Sequence, residues 1–156
     1  AVQALRKKGL TVASAESCTG GLVAARLTEV PGASAVFGCG IVSYNNTVKA
    51  EVLGVDPAII EQHTAVSAET AAAMAEAVRK KSGADIGIGV TGNAGPSASE
   101  GQPVGLVFVA VASEKYSHVS RRFIDRHDAD ARNLIRHFAA LKALSLILRA
   151  AGYYKE

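Results

Sequence analysis

The chain has no tryptophan, one methionine, and only four phenylalanines and four tyrosines in 156 residues. Its core therefore cannot be built around large aromatic plugs. Alanine and glycine dominate instead, which suits closely packed helices and backbone. Cysteine is almost missing as well: Cys18 and Cys39 are the only two, and neither lies in a C-x-x-C pair. They read as small buried thiols of a reduced, cytoplasmic protein rather than as a disulfide framework. No apolar run reaches the roughly 18–20 residues that a membrane span needs, and the opening AVQALRKKG lacks the apolar core of a signal peptide.

Charge of either sign is modest. Seventeen basic residues against fourteen acidic ones leave a net charge of +3. That excess does not argue for nucleic acid, but it is compatible with a small anionic substrate. The histidines (His63, His118, His127, His137) are scattered and show no paired ligand spacing, so no metal site is expected. His127 beside Asp128 has the chemistry of a base, yet it falls at a helix start remote in sequence from any activated serine. The G-x-S-x-G elbow, the Walker A loop and G-x-G-x-x-G are all missing.

What is present is about half apolar and long enough for one domain. Helices are expected over 2–8 and 22–29, from a cap at Asn45 or Asn46 to 53, over 57–62 and 68–82, and from a cap at Asp128 or Asp130 to about 150. Strands are expected over 10–15, 38–44, 85–91, 104–112 and 117–124. Glycines close the helices at Gly9, Gly54 and Gly83, and Ser67 is a good N-cap. Ile86, Ile88 and Val90 share one face of a strand whose other face, at Gly87 and Gly89, is bare enough for a helix to pack closely. On the last helix Leu134, Ile135, Phe138, Leu141 and Leu148 are read as the core face. Strands and helices alternate early and a hairpin comes late. The expected fold is therefore α/β, a three-layer α/β/α sandwich around a mixed sheet of about five strands.

Chemistry concentrates in three stretches. The segment 31–53 holds Ser34, Tyr44 and Lys49 within sixteen residues. Lys49 falls near the start of a helix, where the macrodipole disfavours a cation and so favours the neutral amine of a base. A serine nucleophile with a lysine base is what amide hydrolysis can use without histidine or metal. The turn E-S-C-T-G-G (16–21) joins a strand to a helix. Its N–H groups, with Ser17 and Thr19 hydroxyls and the close approach allowed at Gly20 and Gly21, are expected to form an anion or oxyanion site. A long Gly/Pro/Ser-rich loop (92–103) follows the C-terminal end of a strand, where open α/β sheets bind ligands. For a phosphate, Arg121, Arg126 and Arg132 are equal candidates, although Arg121 and Arg122 face opposite ways on their strand and only one of them can enter a cleft.

These motifs carry a resemblance. E-S-C-T-G-G (16–21), P-G-A-S (31–34), V-S-Y-N…K (42–49), L-G-V (53–55), A-V-S (65–67) and T-G-x-A-G-P (91–96) occur in that order. The chain resembles the CinA C-terminal domain family, the nicotinamide mononucleotide deamidases. That resemblance implies hydrolysis of the substrate's carboxamide to nicotinic acid mononucleotide and ammonia, without metal or other cofactor. It also implies an α/β/α fold and a homodimer; the modest charge and the lack of a long apolar run give no reason to expect a nucleic-acid or membrane partner. It assigns Ser34 as nucleophile, Lys49 as base and Tyr44 as its assistant. Ser17 becomes an active-site residue, and Thr91, Gly92, Asn93, Ala94 and Gly95 become ligand contacts. Two positions depart from the family pattern: Asn93, where an apolar residue is usual, and Thr64, where glycine is usual. A catalytically silent nucleotide-binding module of the same fold is the competing reading, and an interaction domain a third. Ammonia release from nicotinamide mononucleotide separates them.

Overall fold

The computed structural model describes residues 1–126 and 128–154. In chain order the elements are α1 (Val2–Lys8), β1 (Val12–Glu16), α2 (Leu22–Thr28), a 3-10 turn (Ala33–Ala35), β2 (Phe37–Val42), a π-helical turn (Val48–Leu53), α3 (Pro57–His63), α4 (Ala68–Ser82), β3 (Ile86–Gly92), β4 (Leu106–Ser113), β5 (Ser117–Phe123) and α5 (Ala131–Ala150). The strands form one mixed sheet in the order β2-β1-β3-β4-β5. β1 pairs parallel with both β2 and β3, and β4 pairs antiparallel with β3 and β5. The three-layer α/β/α architecture read from the sequence is the one found.

The layers follow from strand alternation. Val12, Ile86, Ile88, Val90, Val107, Val109 and Val111 face α1, α2 and α5. The opposite face, with Ala13, Ala15, Phe108 and Ala110, meets the π-helical turn, α3 and α4. Glycines in β3 set the second interface: a Cβ at Gly89 would lie 2.2 Å from the Ala71 carbonyl oxygen, and one at Gly87 2.0 Å from that of Ala75. The backbone of α4 therefore rests directly on the strand, as the bare face of β3 implies.

The core face of α5 differs from the sequence reading. Ile135, Ala139, Ala143, Leu146 and Ile147 are buried, whereas Leu134, Phe138 and Leu141 are 42 %, 43 % and 61 % exposed. The helix is apolar on two sides, and the side that packs on the valine face of the sheet interleaves Ile135, Leu146 and Ile147 with Ala139, Ala140 and Ala143. Cys39 is half-buried rather than enclosed, and both cysteines are free thiols. Among the described residues no helix is long and apolar enough to cross a membrane.

The topology creates the crevice. From β1 the chain moves to β2 on one side, then returns across the sheet to β3 on the other. The C-terminal ends of β1 and β3 thus send their following segments apart, which is where open α/β sheets leave room for a ligand.

Candidate active site

A cavity of about 390 Å³ opens at those diverging ends. Ser17, one residue beyond β1, forms its floor with Lys49; Thr91 and Gly92 at the end of β3 and the loop 93–100 form a wall; Tyr44 and Arg132 flank it. Lys49 comes from the π-helical turn. The side chain of Asn45 accepts the Val48 N–H at 2.8 Å, and the Asn45 carbonyl accepts that of Lys49 at 3.1 Å. Wide turns of this kind recur at functional sites because they re-aim a side chain. Here the turn sends an amine inward: Lys49 is 1 % exposed.

Its Nζ donates to Ser17 Oγ at 3.3 Å and to the Tyr44 carbonyl at 3.4 Å. Burial pulls its pKa below the ordinary lysine value, against the opposing pull of the Glu100 carboxylate. The neutral amine is thereby made accessible beside a serine hydroxyl. This pairing has the two parts of a nucleophile and its base, at the slightly long distance common before substrate binds.

Ser34 is not part of this arrangement. It lies on the exposed 3-10 turn that precedes β2. β2 runs parallel to β1, and Val12 at the start of β1 pairs with Phe37. Ser34 is therefore at the N-terminal edge of the sheet and the cavity at the C-terminal edge. The five residues of β1 alone place roughly 15 Å between them. The assignment of Ser34 as nucleophile is corrected on this ground: its closeness to Lys49 in sequence is undone by the strand between them.

The E-S-C-T-G-G turn also differs from expectation. The N–H groups of Ser17, Gly20 and Gly21 are already occupied, that of Ser17 by the Val90 carbonyl at 2.9 Å. The buried Glu16 carboxylate accepts from Gly21 N (3.0 Å), Val23 N (3.0 Å) and Ala24 N (2.9 Å), and from Ser14 Oγ (3.2 Å). Gly20 N donates to the Ser17 carbonyl at 3.0 Å. The positive end of α2 is thus neutralised from inside, and Thr19, Gly20 and Gly21 do not line the cavity. Their role is geometric: Gly20 (φ 58) and Gly21 (φ 99) turn the chain so that Ser17 sits at the crevice. Arg136 on α5 secures the same turn by donating to the Cys18 carbonyl (3.2 Å) and the Thr19 carbonyl (3.1 Å). Cys18, enclosed beneath it, has its thiol pushed up to about 12, chiefly by burial.

Tyr44 is 58 % exposed, and its hydroxyl accepts from Arg132 Nη2 at 3.0 Å. It meets Lys49 through its carbonyl rather than its phenol. Arg132 also donates to the Gly95 carbonyl, which ties the first turn of α5 to the T-G-x-A-G-P loop. Of the three arginine candidates only Arg132 lines the cavity. Arg126 is engaged with Asp128 at 2.6 Å, and Arg121 is exposed on the edge strand β5. His127 lies outside the described residues. Among the described residues no cluster of three His, Cys, Asp or Glu side chains is placed to hold a metal.

Asn93 turns out to organise its loop. Its Nδ2 donates to the Gln102 carbonyl (3.1 Å), its Oδ1 accepts from Gly95 N (3.0 Å), and its backbone pairs with Leu106 and Gly105. Thr91 Oγ1 donates to the Ala65 carbonyl at 2.6 Å. Ala94 is buried beside Asn93, and Gly95 (φ 80) turns the loop toward Arg132. Sequence reasoning overlooked Glu16, Glu100 and Arg136. The glutamate opening the E-S-C-T-G-G motif, immediately before a helix start, was the one signal available.

Comparison with known proteins agrees with this architecture. The model of the CinA C-terminal domain matches residues 1–151. A CinA-like protein of Acidobacterium capsulatum is 47 % identical over 148 residues, covering 93 % of this chain and 34 % of the relative. The competence/damage inducible protein CihA of Agrobacterium tumefaciens superposes with a TM-score of 0.88 at 36 % identity, covering 96 % of this chain and 90 % of the solved one. A CinA superfamily protein from Klebsiella pneumoniae gives a TM-score of 0.89 at 28 % identity, covering 97 % and 93 %. The chain spans about a third of the length of the curated relatives it matches. By both sequence and structure it belongs to the CinA C-terminal domain family.

Proposed function

We propose that this domain is an amidohydrolase that converts nicotinamide mononucleotide to nicotinic acid mononucleotide and ammonia, with Ser17 as nucleophile and Lys49 as base. The observation that carries the reading is the buried Lys49 amine, held toward its neutral form, 3.3 Å from the Ser17 hydroxyl at the floor of a cavity.

In this scheme Ser17 Oγ attacks the carboxamide carbon while Lys49 Nζ takes the hydroxyl proton. Lys49 then returns that proton to the departing nitrogen, and the C–N bond breaks to release ammonia and leave an ester on Ser17. Water, deprotonated by Lys49, attacks the ester; the acid leaves and Ser17 regains its proton. Every proton is carried by the chain's own amine. Arg132 at the start of the twenty-residue α5 supplies a cation for the phosphate, supported by the positive end of the helix. Tyr44 positions Arg132 through its hydroxyl and Lys49 through its carbonyl.

The test is incubation of the purified chain with nicotinamide mononucleotide and measurement of ammonia. Release that disappears in Ser17→Ala supports the reading. Tight binding without ammonia in the wild type replaces it with a nucleotide-binding module.

A further inference from the structure

The loop segment 97–102 makes a tight turn, and its first four residues line the cavity. Ser99 and Gln102 exchange backbone hydrogen bonds at 3.3 and 2.9 Å, which puts Glu100 and Gly101 at the tip. Glu100 has φ 51, one of two non-glycine residues with positive φ among the described residues; the other is Thr64. Backbone held in this region by surrounding contacts marks clamps and binding sites. The contacts here are made by the Glu100 carboxylate. Oε1 accepts from Asn46 Nδ2 at 3.1 Å, on the segment leading to Lys49, and Oε2 accepts the Ala65 N–H at 2.7 Å, one residue after Thr64. The carboxylate of this exposed residue thus borders the cavity at its solvent-facing side, and each oxygen retains acceptor capacity.

Glu100 is the only carboxylate among the described residues lining the cavity, where it faces two cations, Lys49 and Arg132. Arg132 occupies the Tyr44–Gly95 side and Glu100 the Asn46–Ala65 side. Without Glu100 the cavity would suit the phosphate of a nucleotide but repel a positively charged ring. With it, the cavity presents separated charges of both signs. We propose that Glu100 is the specificity-determining residue for ring charge, selecting a cationic pyridinium mononucleotide over its neutral dihydropyridine form. This inference rests on the deamidase reading, since a pyridinium nitrogen carries a formal positive charge only in the oxidised ring.

The same placement links binding to catalysis. In the free protein the Glu100 carboxylate favours the charged form of Lys49, against burial. A cationic ring seated beside Glu100 offsets that influence and adds a like charge near the amine, so the neutral base is favoured when the correct substrate is present.

The experiment compares wild type with Glu100→Gln on nicotinamide mononucleotide and on its reduced dihydro form at pH 8, reading ammonia release. The variant is expected to lose about tenfold or more in kcat/KM on the cationic substrate, chiefly through KM. On the neutral one it should stay within about twofold, or become faster. Equal losses on both substrates would make Glu100 a structural latch and overturn the proposal, as would no change on either. Calorimetric binding of the same two ligands separates this from failure of the deamidase reading. If wild type releases no ammonia, a preference for the cationic ligand that collapses in Glu100→Gln still sustains the role of Glu100. Wild-type binding indifferent to ring charge, or no binding at all, overturns it.

Discussion

The Lys49 amine and the Ser17 hydroxyl stand 3.3 Å apart although 32 residues separate them in the chain. β1 delivers the serine to the C-terminal edge of the sheet, and the π-helical turn after β2 brings the lysine back to the same edge. A buried lysine with a single hydroxyl partner among its side-chain contacts is costly to hold, and several outcomes follow from that cost.

Replacing Lys49 with methionine keeps the apolar stem and removes the charge that burial opposes. The Lys49→Met protein should fold and be more stable than wild type at neutral pH, by about 1 kcal/mol or more in urea unfolding. It should release no ammonia. A less stable variant would show that the amine is better compensated than its contacts indicate.

The pH dependence has a definite sign. Burial lowers the Lys49 pKa in the folded chain, so below the ordinary lysine value the unfolded state binds the extra proton more readily. The penalty is therefore full at pH values below the lowered folded pKa. It fades as pH rises from there toward the ordinary lysine value of 10.5. Activity should rise with pH through that lowered pKa and then level off, because the neutral amine is the base. Glu100→Gln should move the rise to lower pH, since it removes a group that favours the protonated form. A pH–rate profile on both proteins checks this; a rise that stays put would remove Glu100 from the electrostatics of the site.

Glu16 is the internal counter-charge of α2. In Glu16→Gln one acceptor oxygen becomes an NH2 donor facing backbone N–H groups that it formerly satisfied. The expected cost is about 3 kcal/mol in chemical denaturation, with Ser17 displaced and activity lowered as well. A change under about 0.5 kcal/mol would mean that water or another side chain replaces the carboxylate.

Thr64 adopts φ 70 and ψ 166, a region that is essentially glycine's alone. Its carbonyl accepts from Ser67 Oγ at 3.0 Å and Thr70 Oγ1 at 2.7 Å, bonds that a glycine retains. Thr64→Gly should therefore stabilise the protein by about 1 kcal/mol, strain relief outweighing the added chain entropy. Thermal unfolding would register this as a higher midpoint; a lower one would show that the side chain's packing matters more than its backbone.

The layered fold was legible because its signals are local: Ser67 capping α4, Gly83 closing it, and the alternation of Ile86, Ile88 and Val90 against Gly87 and Gly89. Which serine stands beside Lys49 was not. Nearness along the chain favoured Ser34 over Ser17 as the partner of Lys49, yet a parallel strand carries its two ends to opposite edges of the sheet, and only pairing register reveals which serine returns to the lysine. The E-S-C-T-G-G turn looked like an open anion site for a similar reason. That Glu16 folds back onto three N–H groups depends on the direction of a side chain, which spacing does not encode. On α5, helical spacing groups the exposed Leu134, Phe138 and Leu141 with the buried Ile135 because that helix is apolar on two sides.

The central claim is that Ser17, not Ser34, attacks the amide. Ammonia release from nicotinamide mononucleotide by wild type, Ser17→Ala and Ser34→Ala, each confirmed folded, tests it directly. Ser17→Ala should fall by on the order of 10⁴-fold or more. Ser34→Ala, altering one exposed hydroxyl at the far edge of the sheet, should stay within about twofold of wild type, with stability unchanged to within about 0.5 kcal/mol. Retained turnover in Ser17→Ala together with its loss in Ser34→Ala would contradict the account.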